Sequence, residues 1–371
     1  MKLRKVLALA AAAVMAVAAL ASCGVKEDSS NDSKAGGSSE KHYKIGIVQI
    51  MEHTSLNTIR DAVIDRLAEL GYVDGKNCTI DAQQANNEST TVQQILDQFK
   101  ADGDDIIIAI TTPCAQLAAP YSEEIPVVFS AVTDPIGAGL CDSLESTGAN
   151  ITGTSDKLAI TKILDFALEM KPEIKTLGYL YNTGEDNSVS TLKEVKAYCE
   201  EKGITVIEGA ASNTSEVQEA AQNLAAKCDA VFSPNDNTIA GAMGTVTEVM
   251  NKAKVPMFVG ADSMVMDGGL GTVGIEYSDL GKETANMAAQ ILSGEKKASE
   301  IPIKVFNEDL ISTRRLLTRS VSLFLTILQT EKRQFTSIKL LQNQIKHSII
   351  VGSGTFAPCY FLLKGKLYET E

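Results

Sequence analysis

Tryptophan is absent from the 371-residue sequence, and histidine occurs only at positions 42, 53 and 347. No histidine stands at the spacing from another histidine or a cysteine that a zinc site requires, so no metal is expected. The body of the chain also lacks the phosphate-loop pattern G-x-x-x-x-G-K-[ST] and the nucleophile pattern G-x-S-x-G. These absences leave no cofactor to expect and make an enzyme the weakest hypothesis.

One stretch of the sequence matches the residue pattern of a dinucleotide-binding motif but lacks its structural context. Residues 269–274 spell G-x-G-x-x-G, but they do not lie between a first strand and its helix. We therefore interpret them as a turn that runs into a strand rather than as a nucleotide site.

Positive charge is also in deficit. Lys and Arg number 34 against 47 Asp and Glu, which gives a net charge of −13, whereas a surface that binds nucleic acid needs basic residues in excess. Nucleic acid is therefore not an expected partner.

The seven cysteines form no C-x-x-C pair, so no disulfide can be assigned, and most of them are interpreted as small buried apolar residues.

Residues 1–22 have the pattern of a secretory signal peptide. A basic start, MKLRK, precedes the apolar run VLALAAAAVMAVAAL, which is short for a membrane span. The next residues, LASC at 20–23, resemble the lipobox of bacterial lipoproteins, in which the cysteine after the cleavage site is lipidated. We predict lipidation of Cys23 and tethering to the outer face of the cytoplasmic membrane. The alternative is an ordinary signal peptide in which Cys23 is incidental.

Residues 23–41 are predicted to be the lipidated cysteine and a flexible tether, because Ser, Gly and charged residues dominate there.

From residue 43 onward, apolar runs alternate with helical patterns, and the order occurs twice. KIGIVQI, CTIDAQQA, DIIIAI and IPVVF correspond to the later runs KTLGYLY, ITVIEGA, DAVF and VPMFVG. The pattern predicts an α/β fold with two doubly wound parallel-sheet lobes joined by a hinge. We assign residues 42–152 to the first lobe, 153–275 to the second, and 276–310 to a segment returning to the first.

Polar, short side chains follow nearly every predicted strand. Ligands of doubly wound sheets bind beyond these strand ends, although each position is also explained as a helix cap or turn. Hydroxyl and backbone N–H groups suit a carboxylate, and Asp236, with Asp134 or Asp262 as second choice, suits an ammonium group, so the set fits a small zwitterion. The candidate ligand-binding residues are Ser55, Thr112, Ser130, Ala131, Thr133, Asp134, Asn187, Ser188, Asp236 and Asp262.

Residues 44–303 resemble a known family, the lipoprotein substrate-binding components of ABC transporters related to bacterial tryptophan- and tyrosine-binding proteins. The matching stretches include EHTSLN, AITTPCAQLA, IPVVFSAVTDPIGAGL, NITGTSD, LGYLYNTGEDNS and SPNDNT. The resemblance implies a type I periplasmic-binding fold that closes on a small ligand, commonly an amino acid, with an aromatic one favoured. It also implies delivery to a membrane permease driven by a separate ATPase, and a cleft lined by the ten candidate residues.

Two rival functions use similar architecture. A ligand-sensing receptor domain of the same fold would carry a fused DNA-binding or kinase segment, which the sequence does not show. An extracellular α/β enzyme would need a nucleophile with a base, and the body of the chain offers no suitable histidine.

The carboxyl-terminal part departs from the family pattern. Residues 311–371 contain nine Lys or Arg and three Asp or Glu, a net charge of +6, which leaves −19 on residues 1–310. We hypothesise a shifted reading frame or a spliced-on tail. Reading the other frames of the coding DNA tests this, since the idea fails if none resumes the family's ending. The alternative is a genuine extension with a membrane-surface helix near residues 321–328.

Overall fold

The computed structural model describes residues 41–306 and 310–313, and two six-stranded sheets organise this part of the chain. The strands of the first sheet are β1 (Tyr43–Gln49), β2 (Cys78–Gln84), β3 (Ile106–Ile110), β4 (Val127–Ser130), β5 (Ile151–Ser155) and β11 (Lys304–Val305). Their order across the sheet is β11-β5-β4-β3-β1-β2, and every neighbouring pair is parallel.

The second sheet repeats this plan with one difference. Its strands are β6 (Thr176–Asn182), β7 (Thr205–Ala211), β8 (Ala230–Ser233), β9 (Met257–Val259), β10 (Gly271–Gly274) and β12 (Leu310–Thr313). The order is β12-β10-β9-β8-β6-β7, and the edge strand β12 runs antiparallel to β10 while the other pairs are parallel.

Helices cover the sheets and connect successive strands. They are α1 (Thr54–Glu69), α2 (Ser89–Asp102), α3 (Thr112–Ala118), α4 (Ile160–Met170), α5 (Asp186–Lys202), α6 (Val217–Ala225), α7 (Asn237–Gly241), α8 (Met243–Ala253), α9 (Asp262–Met266) and α10 (Tyr277–Leu292). None of the helices in the described residues is both long and apolar enough to cross a membrane.

The core of each lobe follows from the apolar runs. All five residues of β3, IIIAI, are buried, as expected for a central parallel strand covered on both faces. Helix α1 buries Leu56, Ile59 and Val63 at helical spacing. Helix α10 packs closely against it at Gly281, where an added Cβ would lie 2.6 Å from the carbonyl oxygen of Ile59.

The predicted fold of two parallel-sheet α/β lobes is confirmed, but several elements were not predicted, among them strand β5 and helix α4. Strand β5, ITGTS, lacks an apolar run, yet all five of its residues are buried. Its threonines bond inside the lobe, and the Thr152 hydroxyl donates to the carbonyl oxygen of Ile301 at 2.7 Å.

The predicted lobe boundary at residue 152 falls inside β5, which belongs entirely to the first sheet. Helix α4 then begins the second lobe.

Among the elements that the structure describes, the sheet changes three times along the chain: after β5, after β10 and after β11. The return segment is first-lobe structure as far as β11, because α10 packs on α1 and β11 pairs with β5. The pattern does not end at residue 310, since β12 extends to residue 313 and joins the second sheet. The predicted signal peptide and residues 23–40 of the tether lie outside the described residues, as does the tail after residue 313.

The cysteines behave as small apolar residues where the structure describes them. All five have free thiols and are buried. Burial raises the pKa of the Cys114 thiol to about 12, so this group is an inert thiol at neutral pH. The five are Cys78, Cys114, Cys141, Cys199 and Cys228.

Candidate functional site

A cavity lies between the two lobes, lined by residues of both. The first lobe contributes residues from the start of α1 and from the ends of β3, β4 and β5. The second lobe contributes residues from the starts of α5 and α7 and from α9. The lining residues are His53, Ser55, Leu56, Thr111, Thr112, Ala131, Thr133, Asp156, Asn187, Asn235, Asp236, Asn237, Ala240, Ala261, Met264 and Tyr277.

Strained backbone occurs at two adjacent strand ends on the cavity wall. Thr111, after β3, has φ of 93°, and Ala131, after β4, has φ of 56°. Positive φ is an outlier for a β-branched residue such as threonine, and conformations of this kind cost about 1–3 kcal/mol each. The surrounding parallel strands hold both residues in place, as shown by the 2.8 Å bond from the Thr111 amide to the Ser130 carbonyl oxygen.

Asp156, directly after β5, joins three parts of the molecule. Its carboxylate accepts hydrogen bonds from the Thr133 hydroxyl of the first lobe at 2.9 Å and from Asn235 Nδ2 of the second lobe at 2.6 Å. The Tyr277 hydroxyl, at the start of α10, donates to it at 3.2 Å. Burial raises the pKa of Asp156, although these three bonds favour its charged form. A cation in the cavity would stabilise that charge further.

Asp236 is a second buried carboxylate, but its oxygens already have internal donors. Oδ1 accepts the Ile239 amide at 2.9 Å and so caps α7. Oδ2 accepts the Asn182 amide and the Ser188 hydroxyl, both at 2.7 Å. Burial, and then the nearby carboxylate of Glu185, raises the pKa of Asp236. The side chain therefore has a structural task independent of any ligand.

Unpartnered polar atoms collect at this cavity. Nine buried side-chain nitrogen or oxygen atoms have no hydrogen-bond partner within the described part of the chain, and five of them belong to residues that line the cavity. Buried polar groups are normally paired, so these atoms are the groups of the cavity that are available to bond a ligand. The five atoms are His53 Nδ1, Thr111 Oγ1, Thr112 Oγ1, Asn187 Oδ1 and Asn235 Oδ1.

Direct bonds connect the lobes across the cleft, so the structure has a closed arrangement. The hydroxyls of Ser55 and Ser263 lie 2.5 Å apart, and Asn87 Nδ2 donates to the Thr238 hydroxyl at 3.0 Å. Further cross-lobe bonds join Gln116 to Asp186, Ser190 to Asp134, His53 to Asn237, and Asn235 to Thr133 and Asp156.

The structure brings six of the ten predicted site residues together on the cavity wall and places four elsewhere. The six are Ser55, Thr112, Ala131, Thr133, Asn187 and Asp236. Ser130 and Ser188 are fully buried away from the cavity. The Ser130 hydroxyl lies 2.8 Å from that of Thr284 on α10. The Ser188 hydroxyl donates a hydrogen bond to the carboxylate of Asp236.

The other two predicted acids also have hydrogen-bond donors outside the cavity. Asp134 accepts the Gly137 amide at 2.9 Å and the Ser190 hydroxyl at 2.5 Å. These bonds hold its pKa below the usual value, although burial opposes this. Asp262 accepts the amide of Ser263 at 2.7 Å, and burial raises its pKa to about 6. Neither acid is part of the cavity lining. Asp262 is engaged by the adjacent amide, and Asp134 by its own turn and, across the cleft, by Ser190 on α5.

Several lining residues were absent from the sequence-based set. Asp156 ends a strand that carries no apolar run, and Tyr277 begins a helix that returns from the second lobe, so strand-end reasoning reached neither. Thr111 was passed over for its neighbour Thr112. The described residues contain no cluster of three or more His, Cys, Asp or Glu side chains that could hold a metal ion.

Comparison with known proteins identifies relatives over the whole body of the chain. Residues 44–317 match the family model described as ABC transporter substrate binding protein. A tyrosine-binding protein of Clostridioides difficile is 38% identical over 309 residues, which cover 83% of this chain and 89% of that protein.

Two solved structures have the same sequence identity to this chain and the same coverage, but they differ in TM-score. An ABC domain from Streptococcus pneumonia in complex with L-Trp is 35% identical and gives a TM-score of 0.72 over 76% of this chain and 95% of that one. The ligand-free, open structure of a substrate binding protein with adhesive properties from Clostridium difficile is also 35% identical over the same shares, with a TM-score of 0.58. The lobes of the present chain are thus arranged more like the complex, in keeping with the bonds across the cleft.

Proposed function

The chain belongs to the family of ABC transporter substrate-binding proteins, and we propose that its solute is an aromatic amino acid, held as the zwitterion between the two lobes. The observation that carries this proposal is the set of unpartnered polar atoms in the cavity. Their chemistry divides into hydrogen-bond acceptors and hydroxyls, as a ligand with both an ammonium and a carboxylate group requires.

The ammonium group is assigned to the acceptors. Asn187 Nδ2 donates to the Asn235 carbonyl oxygen at 3.2 Å, and Asn235 Nδ2 donates to Asp156. With their nitrogens engaged, both side chains present Oδ1 to the cavity as a free acceptor. The negative charge of Asp156 lies beside them, and a buried ammonium ion needs such a partner.

The carboxylate is assigned to the end of β3. Thr111 and Thr112 carry buried hydroxyls without partners among the described residues, and either hydroxyl can donate to a carboxylate oxygen. The bond from the Thr111 amide to the Ser130 carbonyl oxygen holds the backbone here before the ligand arrives, so little backbone order has to be gained on binding.

The cavity wall also includes five apolar residues and one tyrosine, which can contact the side chain of an aromatic amino acid. The protein described as tyrosine-binding and the structure holding L-Trp support an aromatic side chain over an aliphatic one. The apolar lining consists of Leu56, Ala131, Ala240, Ala261 and Met264, with the ring of Tyr277.

Function then follows from closure rather than from chemical conversion. A ligand that bonds Thr111 and Thr112 on one lobe and Asn187 on the other stabilises the closed form over the open one. The closed protein would deliver its ligand to a membrane permease powered by a separate ATPase, and no catalytic step is required.

A thermal-shift panel tests the ligand class. L-Tyrosine or L-tryptophan at about 100 times Kd should stabilise the folded protein by about 2.7 kcal/mol, a rise of several degrees in Tm. The matched controls are the D-enantiomers and 4-hydroxyphenylpropionate, which keep the ring but misplace or lack the ammonium group. The proposal is wrong if these controls, or a polyol such as myo-inositol, raise the Tm as much as the L-amino acids.

We also propose that the protein is a lipoprotein anchored at Cys23 outside the cell, on the basis of residues 1–23. A Cys23→Ala variant expressed in a bacterial host should partition into the soluble extracytoplasmic fraction, whereas the unaltered chain should stay with the membranes. Ser22→Ala leaves the cysteine in place behind another small residue and serves as the matched control. Equal partitioning of the Cys23→Ala variant and the unaltered chain would contradict the anchor.

A further inference from the structure

His53 is the member of the unpartnered set that the zwitterion does not use. It stands directly before α1, and its Nε2 lies 3.2 Å from Asn237 Oδ1 on the opposite lobe. The other ring nitrogen, Nδ1, is buried without a partner among the described residues, and His53 lines the cavity.

The neighbours of His53 determine which nitrogen carries the proton. Glu185 accepts hydrogen bonds from the backbone amide of Asn237 at 3.0 Å and from its Nδ2 at 2.6 Å. A carboxylate only accepts, so the amide nitrogen of Asn237 must face Glu185 and its oxygen must face His53. His53 Nε2 is consequently the donor of the cross-lobe bond.

The ring is also neutral. Burial lowers the pKa of His53, and this effect outweighs the opposing influence of the bond to Asn237 and of the Glu185 charge. A neutral imidazole that is protonated on Nε2 has a lone pair on Nδ1. The cavity therefore contains a fixed hydrogen-bond acceptor at this point, and a ligand group with a donor satisfies it.

The acceptor belongs to the apolar part of the cavity. Leu56 lies three positions after His53, and Ala240 lies three positions after Asn237, so each is a neighbour of one partner of the His53–Asn237 bond, and all four residues line the cavity. The Asp156–Asn235 pair that is assigned to the ammonium group is held by different elements, at the ends of β5 and β8.

We infer that His53 is a specificity-determining residue, whose Nδ1 accepts a hydrogen bond from a donor on the side chain of the bound amino acid. A phenolic hydroxyl and an indole N–H both provide this donor, whereas phenylalanine does not. The inference rests on the proposed function. The selectivity arises because a ligand without the donor leaves the buried Nδ1 acceptor unpaired, which costs free energy. Binding sites that hydrogen-bond a polar group of the ligand reject analogues that lack this group for the same reason.

Calorimetric titration of the full-length mature protein with three ligands isolates the donor. L-Tyrosine carries it, L-phenylalanine lacks it, and 4-fluoro-L-phenylalanine fills the space of the hydroxyl without donating. The unaltered protein should bind tyrosine about 10 to 100 times more tightly than either analogue. This comparison needs no variant, so it stands even where a substitution impairs folding.

Substitutions at position 53 then assign the discrimination to the imidazole. His53→Leu should weaken every ligand, because the bond to Asn237 is lost, and should reduce the tyrosine-to-fluorophenylalanine ratio to within about threefold. His53→Gln keeps a donor for Asn237 and an acceptor for the ligand, so it should restore part of the ratio.

The outcomes separate this inference from the proposed function. If amino acids bind but the unaltered protein holds 4-fluoro-L-phenylalanine as tightly as tyrosine, the role of His53 is overturned while the amino acid site stands. The same holds if His53→Leu weakens all ligands and leaves the ratio intact, since His53 then acts through closure or contacts the ammonium group. If no amino acid binds, the proposed function fails and the inference falls with it.

Discussion

Replacing Asp156 with alanine is expected to weaken the binding of L-tyrosine and L-tryptophan by about 100-fold or more. Its carboxylate bonds to both lobes and to α10. The substitution removes the charge that faces the ligand's ammonium group and also the acceptor that holds Asn235 in the closed position. Losing the partner of a buried charge costs about 3–5 kcal/mol, and 100-fold corresponds to about 2.7 kcal/mol. Calorimetry at pH 7.5 measures the effect.

Two further substitutions interpret the result. Asp156→Asn retains the shape and one acceptor but not the charge, so binding that is nearly as weak as in Asp156→Ala would identify charge as the main contribution. Asp61→Ala removes an exposed carboxylate in the middle of α1 and should leave affinity unchanged. An affinity of Asp156→Ala within about threefold of the unaltered protein would refute the assignment.

Replacing Asp236 with alanine is expected to damage the fold as well as the site. The substitution leaves the amides of Asn182 and Ile239 and the hydroxyl of Ser188 without their acceptor, and it removes the cap of α7. An unsatisfied buried donor costs about 1–3 kcal/mol and a lost cap about 1. We expect the free energy of unfolding of the ligand-free protein to fall by about 2–4 kcal/mol, measured by urea denaturation.

The matched control for Asp236 is Asp262→Ala. Asp262 also stands at the start of a short helix and is largely shielded from solvent, but its hydrogen bond comes from the amide of the adjacent residue, Ser263. Its removal should change stability by less than about 1 kcal/mol. If Asp236→Ala instead unfolds at the urea concentration of the unaltered protein while losing its ligand, Asp236 is a ligand contact and not a structural cap.

Asp156 and Asp236 also show which features of the site the sequence could predict. Apolar runs and helical spacing predicted the two sheets, and the rule that ligands lie beyond parallel strand ends predicted where the site would be. The sequence could not show which strand-end acids already have donors, because those donors, Asn182, Ser188 and Ile239, come from separate elements. Asp236 was therefore predicted to bind the ammonium group, a role for which Asp156 is now the better candidate.

Asp156 escaped prediction for a different reason. Strand β5 is built from Thr, Gly and Ser, and it is a core strand only because α10 and β11 return to cover it from the far end of the chain. Ser130 illustrates the same limit. Its position at the end of β4 was predicted correctly, but its side chain faces Thr284 of the returning helix instead of the cleft.

The return of α10 determines the order in which the protein can be completed. Arg66 on α1 donates to Asn286 on α10, 220 residues later, at 2.9 Å. A nascent chain that ends before α10 has an incomplete first lobe, with the α1 surface around Ile59 uncovered and β5 unpaired on one edge. The lobe that is synthesised first is thus finished only after strands β6 to β10 of the second lobe have emerged. Contacts of such long sequence separation slow folding and prolong the exposure of apolar surface. The ligand cleft consequently forms only when synthesis has passed its last wall, near the start of α10.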